Sequence, residues 1–270
     1  MTARAARPAR AALVTGASAG IGLTFAHELA SAGWTVTAVA RGEDRLRALV
    51  EELGPGHRYL VADLSTPEGQ GLVAAELVRR PVELLVNNAG TAHHGPFTGT
   101  GPREALAALH LNGDAVVVLA HAFLSGARRG DVLINVSSTL AHAPAPGLAV
   151  YSAGKAFVTA FSEALWYEQR PLGVHVMALS PGPTSSEPEP ELEPGTEPES
   201  QQASGPGAAS RRHQDAPAAM VQSPTAVVRT ALRALDRRTG PTVVPGRANS
   251  LFVLATRLLP RRTLLAMLSR

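Results

Sequence analysis

The chain contains no cysteine, and of its 25 Lys and Arg residues only one is a lysine. Without cysteine there is no disulfide, no thiolate metal site and no cysteine nucleophile, and a reducing, cytoplasmic setting is expected. Since arginine serves wherever else a positive charge is used, Lys155 marks a position that wants a compact ammonium on a flexible stem rather than a planar fork. Long apolar runs are missing too. No uninterrupted stretch reaches membrane-spanning length. Segment 1–10 carries arginines but runs straight into Thr15-Gly16-Ala17-Ser18, with no signal-peptide core. The formal net charge is only +3 with the arginines scattered, so no nucleic-acid partner is expected.

What is present is an alternation. At 270 residues the chain suits one large α/β domain spanning 1–270. Apolar runs at Ala11 to Thr15, Thr35 to Ala40, Tyr59 to Ala62, Leu84 to Asn87, Val132 to Val136 and Val174 to Leu179 read as buried strands. Helical patterns follow Gly22, run from Glu43 to Leu53, and recur near Arg103 to Gly126 and Tyr151 to Gln169. Strands alternating with helices predict right-handed crossovers and a doubly wound, mostly parallel sheet in three α/β/α layers. Residues 187–217, rich in Glu, Pro, Ser and Gln, break the rhythm and read as a disordered insertion. After it, Ser223 to Leu235 predicts an amphipathic helix and Thr242 to Val244 a short strand. The apolar tail, 248–268, is expected to pack as a helix on the domain or on a partner subunit, ahead of lying on a membrane surface.

Two patterns carry chemistry. The first is Thr15-Gly16-Ala17-Ser18-Ala19-Gly20-Ile21-Gly22, between the first strand and the first helix. Glycines there let the backbone approach a pyrophosphate at the positive end of a helix. Beyond the second strand stands Arg41, with Arg45 close by and no carboxylate before Glu43. An arginine in that place accommodates a ribose 2′-phosphate, which favours NADP(H) over NAD(H). The second pattern is Tyr151-Ser152-Ala153-Gly154-Lys155. Positions i and i+4 share a helix face, and an ammonium beside a phenol is expected to lower the tyrosine pKa.

In order and spacing these pieces resemble the short-chain dehydrogenase/reductases of the non-extended branch. The likeness rests on the glycine segment, Asp63-Leu64, Asn87-Asn88-Ala89-Gly90, Asn112, Val136-Ser137-Ser138, the Tyr151 to Lys155 segment and Pro181-Gly182-Pro183-Thr184. The resemblance implies a Rossmann-type fold and carbonyl–alcohol interconversion by hydride transfer. Tyr151 would be the general acid/base, Ser138 the carbonyl polariser, Lys155 the partner of Tyr151 and of the nicotinamide ribose, and Asn112 the holder of a relay water. Gly16, Ser18, Gly20, Ile21 and Gly22 would line the pyrophosphate turn. Asp63 and Leu64 would meet the adenine, Asn88, Ala89 and Gly90 the adenosine ribose, and Pro181, Gly182 and Thr184 the nicotinamide. Ser137 is expected to be structural, and Ser186 departs from a frequent threonine. A homodimer or homotetramer is implied as well.

The partner is expected to be a small, largely apolar carbonyl or alcohol, because Leu140, Ala141, Ala143, Pro144 and Pro146 follow the serine. His93, His94 and His142 read as loop histidines, with no metal expected. A serine-hydrolase reading is set aside. The competing reading is a non-catalytic NADP(H)-binding sensor on the same fold.

Overall fold

The computed structural model describes residues 10–185 and 217–268. The insertion expected at 187–217 and the departure at Ser186 therefore lie, but for Pro217, outside the described residues.

The elements in chain order are β1 (Ala11–Thr15), α1 (Gly20–Ser31), β2 (Thr35–Ala40), α2 (Glu43–Leu53), β3 (Arg58–Val61), α3 (Pro67–Arg79) and β4 (Leu84–Asn87). There follow α4 (Pro102–Leu109), α5 (Ala115–Leu124), β5 (Val132–Val136), α6 (Ala149–Gln169), β6 (His175–Leu179), α7 (Pro224–Asp236), β7 (Thr242–Val243), α8 (Arg247–Leu258) and α9 (Arg261–Leu268). Helix α3 has no counterpart in the sequence expectation. Thr66 caps it by accepting from the Gly69 amide, and Pro67 opens it with its φ already helical.

The seven strands form one parallel sheet in the order β3-β2-β1-β4-β5-β6-β7. Every strand but the outermost pair has two neighbours, so β1, β4, β5 and β6 bury both faces and read as continuous apolar runs. One core layer gathers Phe25, Leu29, Leu46, Ile134, Met177 and Val228; the other gathers Leu13, Val73, Leu85, Leu119, Phe123 and Leu133. The chain winds from β1 toward β3 on one side and from β4 toward β7 on the other. The order thus reverses between β1 and β4, and the crevice at the carboxyl ends of those strands is where such sheets hold ligands.

Between α4 and α5 the helix is continuous but underwound and widened into one π turn, His110–Asp114. The whole run Pro102–Leu124 is long and apolar enough to cross a membrane by length and composition, although Arg103, Glu104 and Asp114 interrupt it. It is a core helix nonetheless, with Ala108, Asn112, Val116, Leu119 and Phe123 buried against the sheet side.

Candidate active site and cofactor cradle

The sequence-expected residues converge on the carboxyl ends of six strands: Gly16 follows β1, Arg41 β2, Asp63 β3, Asn88 β4, Ser138 β5 and Pro181 β6. The glycine turn is built for close approach. Gly16 has φ +65°, and a Cβ there would press on the Asn88 amide nitrogen at 2.7 Å. A Cβ on Gly22 would overlap the Gly16 carbonyl oxygen, whereas Gly20, with φ +54°, faces open space. Helix α1 begins at that open position with no acidic residue in its first turn, leaving its positive end free for an anion. Ser18 is partly exposed in the same loop, and Ile21 anchors it against the core.

Asn88 is committed to holding this loop. Its side-chain amide donates to the Thr15 carbonyl at 2.9 Å and the Gly16 carbonyl at 3.3 Å. The Thr15 hydroxyl in turn accepts from the Asn88 and Ala89 amides. The Asn88 carboxamide is thus already engaged by the loop. Asp63 accepts from both the amide and the hydroxyl of Ser65, at 2.9 and 2.7 Å. Burial pushes its carboxyl pKa up, but the Ser65 bonds and the Arg41 charge outweigh that and leave it lowered. Arg41 and Asp63 therefore act on one region, the edge where an adenosine would sit. Leu64 turns into the core.

At the other end of the cradle, α6 is pinned to β5. Ser137 donates to the Lys155 carbonyl at 2.8 Å and shares a hydrogen bond with Thr159 at 2.7 Å. Deeper down, Asn87 donates to Asn135 and Asn135 to Ser162, a buried ladder from β4 to α6 that the sequence reading missed. These bonds fix the first turns of α6, where Tyr151 and Lys155 stand. Ser138 stands close enough to the Tyr151 hydroxyl to pull its pKa down, and its oxygen accepts from the Leu140 amide at 3.1 Å. Ser137 is thus structural, and Ser138 faces the phenol.

Lys155 is buried, and its ammonium donates to the Val136 carbonyl at 2.8 Å. Desolvation holds its pKa down at about 8. Its Nζ lies 5.7 Å from the Tyr151 ring centroid. Here the structure corrects an expectation: the Tyr151 pKa is raised, because burial of the phenol dominates and only the Ser138 hydrogen bond opposes it. The ammonium is too far away and too engaged with Val136 to reverse that.

Asn112 sits in the π turn, a local widening that often marks functional positions. Its Nδ2 donates to the Thr91 and Ala108 carbonyls at 2.8 and 2.9 Å. Its Oδ1 is buried without a partner. A Cβ on Gly90 would come within 2.7 Å of that oxygen and 3.3 Å of Lys155 Nζ, so the two side chains converge on one small space. Gly154 backs Asn112, and a Cβ there would meet the Asn112 Cβ at an ordinary contact distance of 3.5 Å.

The Pro181–Thr184 turn is held from both sides. The Pro181 carbonyl accepts from the Thr139 amide at 2.9 Å, and Thr184 is bridged to Gln222. Asn249 of α8, fully buried, lies directly against Gly182 and donates to Met220 and Gln222. Nothing in the sequence pointed to it. Tyr151 opens on a cleft lined by Thr91, His93, Phe97, Ala108 and Val150. His93 pairs with Glu104 at 3.0 Å. Burial, then the Arg257 charge, lowers the His142 pKa.

Gly16-Ala17-Ser18-Ala19-Gly20 also spells G-x-S-x-G, the spacing of a hydrolase nucleophile turn. Among the described residues no histidine hydrogen-bonds Ser18, so the hydrolase reading fails there on geometry rather than on the motif.

The family model described as short chain dehydrogenase matches residues 10–196. The chain belongs to that family. A short-chain dehydrogenase from Sphingobium yanoikuyae, solved in complex with NADPH, is 29% identical with a TM-score of 0.73, covering 92% of this chain and 94% of that one. The bulky-bulky ketone specific alcohol dehydrogenase from Comamonas testosteroni is 27% identical with a TM-score of 0.71, covering 92% and 93%. Among curated relatives, the human inactive hydroxysteroid dehydrogenase-like protein 1 is 32% identical over 64% of this chain and 55% of its own length. The very-long-chain 3-oxoacyl-CoA reductase of Laccaria bicolor is 35% identical over 63% and 53%. The chain thus spans a little over half the length of the curated relatives it matches. The glycine cradle with no room for a Cβ, the uncapped positive end of α1 and the orphaned Asn112 oxygen all fit a dinucleotide.

Proposed function

We propose that this short-chain dehydrogenase is an NADP(H)-dependent oxidoreductase that interconverts a carbonyl and an alcohol, with Tyr151 as the general acid/base. The carrying observation is that Ser138 stands close enough to the Tyr151 hydroxyl to pull its pKa down, with Lys155 and Asn112 converging at Gly90.

When bound, NADPH supplies the hydride. Gly16, Gly20 and Gly22 would hold its pyrophosphate, Arg41 its 2′-phosphate and Asp63 its adenine, with Pro181, Gly182 and Thr184 against the nicotinamide. Ser138 and Tyr151 both point hydroxyls at the place where the substrate oxygen gathers negative charge, and Tyr151 delivers the proton. A raised phenol pKa suits the acid role, since the proton is held until an oxyanion develops. A water held where Asn112 Oδ1 and Lys155 Nζ converge would resupply Tyr151. The cleft beside Tyr151 is mostly apolar, supporting a largely apolar substrate. The exposed Leu109, Val117 and Phe157 support a homo-oligomer through α4, α5 and α6.

The test is Tyr151→Phe. It abolishes turnover while NADPH binding stays within a few-fold of wild type; an active variant overturns the assignment. The alternative, a non-catalytic NADP(H)-binding protein, is favoured by one observation, the similarity to relatives named inactive. It predicts tight NADPH binding with no turnover on any carbonyl.

A further inference from the structure

Helix α8 is apolar on two opposite sides. Asn249, Val253 and Thr256 turn inward and are buried. Leu251, Leu254 and Leu258 stand on the other side and are 67%, 53% and 77% exposed. Their i, i+3, i+7 spacing puts the three on one face. Helix α9 adds Leu265 and Met267, 38% and 63% exposed, beside a buried Leu264. The expectation that this tail packs on its own domain therefore holds for the inward residues only. A surface helix ordinarily turns polar residues outward, so this apolar face needs an occupant.

Charge narrows the choice. Arg247, Arg257, Arg261 and Arg262 are all exposed, and no Asp or Glu occurs from 247 to 268, although the chain holds 22 acidic residues. A second copy docking through the same face would be isologous, setting these arginines against their own equivalents. Self-association also has apolar helices to use elsewhere, at Leu109, Val117 and Phe157. The complementary occupant is anionic and broad.

We infer that the outer face of α8 and α9 docks on an anionic lipid surface. The leucines and Met267 enter the headgroup boundary, while the arginine stems lie along it and their guanidinium groups reach lipid phosphates and carboxylates. The face is joined to the site, since Asn249 of the same helix packs under Gly182 and Arg257 lies close enough to bias His142. Docking would thus hold the cleft near the bilayer, where apolar carbonyl compounds concentrate.

The experiment is flotation of the full chain with vesicles of phosphatidylcholine alone or mixed with phosphatidylserine. The chain floats with the mixed vesicles, does so less in high salt, and stays behind with phosphatidylcholine alone. The triple variant Leu251→Ser, Leu254→Ser, Leu258→Ser binds the mixed vesicles about ten-fold or more weakly while still binding NADPH. A second variant, Arg257→Gln, Arg261→Gln, Arg262→Gln, is weakened as well. No association with either vesicle, or wild-type binding by the leucine variant, overturns the inference. So does a leucine variant that merely falls from a larger to a smaller oligomer in sedimentation with no vesicle binding in either protein, which would make the face a self-interface.

Discussion

Lys155 donates its ammonium to the Val136 carbonyl at 2.8 Å rather than presenting it to the Tyr151 hydroxyl. The contact sets the lysine at the junction of β5 and α6, buried, with its pKa near 8. It follows that the phenol is tuned mainly by burial and by Ser138, and the lysine mainly by desolvation.

The first prediction concerns Ser138. Its hydrogen bond opposes the burial that raises the Tyr151 pKa, so Ser138→Ala raises it further. Alcohol oxidation needs the phenolate, so the pH at which that rate rises moves upward in the variant. Carbonyl reduction falls by about 10²- to 10³-fold, the usual cost of one donor to a developing oxyanion. A pH–rate profile in both directions checks this, and an unmoved midpoint contradicts it.

Lys155 makes stability depend on pH. Its folded pKa of about 8 lies below the ordinary 10.5. Between those values the unfolded chain binds a proton that the folded chain has lost, so this residue's contribution to stability rises with pH. Below pH 8 the lysine is charged in both states and the burial cost is fully felt. Lys155→Met removes the titration. The stability of the variant relative to wild type is therefore highest below pH 8 and shrinks by about 1–3 kcal/mol toward pH 10. Urea unfolding of both proteins at pH 7 and pH 10 measures the difference, and a constant offset argues against it.

Gly90 guards the space shared by Asn112 and Lys155. A methyl there meets Asn112 Oδ1 at 2.7 Å, so Gly90→Ala costs about 1–3 kcal/mol of stability by crowding. Adding Asn112→Ala relieves that contact but loses the hydrogen bonds to Thr91 and Ala108, and turnover stays lost because the oxygen that faces the space is gone. Recovery of turnover in the double variant would show that the space has no catalytic use.

On the proposed reading, Arg41 meets the cofactor's 2′-phosphate. Losing one charge-assisted contact to a 2′-phosphate costs about 1.5–3 kcal/mol, or roughly 10- to 150-fold. Arg41→Ala should weaken NADPH by that factor and leave NADH nearly unchanged. Equal weakening of both would assign Arg41 to the surface.

Much of this was legible in the sequence because parallel strands buried on both faces leave continuous apolar runs, as at β1, β4 and β5. The glycine turn, Tyr151 and Lys155 were legible for a related reason: close approach and charge placement restrict residue type strongly. What was not legible depends on tertiary contact. Helix α3 hid behind Gly69 and Gln70, whose burial no periodicity reveals, although Thr66-Pro67 was a readable start signal. The π turn at His110–Asp114 leaves no mark in composition, yet it aims Asn112. Asn249 looks like a surface polar residue until α8 is seen against Gly182. The Tyr151 pKa was misread because helix spacing gives neighbours but not depth, and depth decided the sign.

The central claim is that the site turns over. The direct measurement is NADPH consumption, beside NADH, over a panel of ketones, aldehydes, quinones and 3-oxoacyl thioesters. Turnover that prefers NADPH is the predicted result. Measurable NADPH binding with no consumption across the panel would contradict it and make the chain a binding protein.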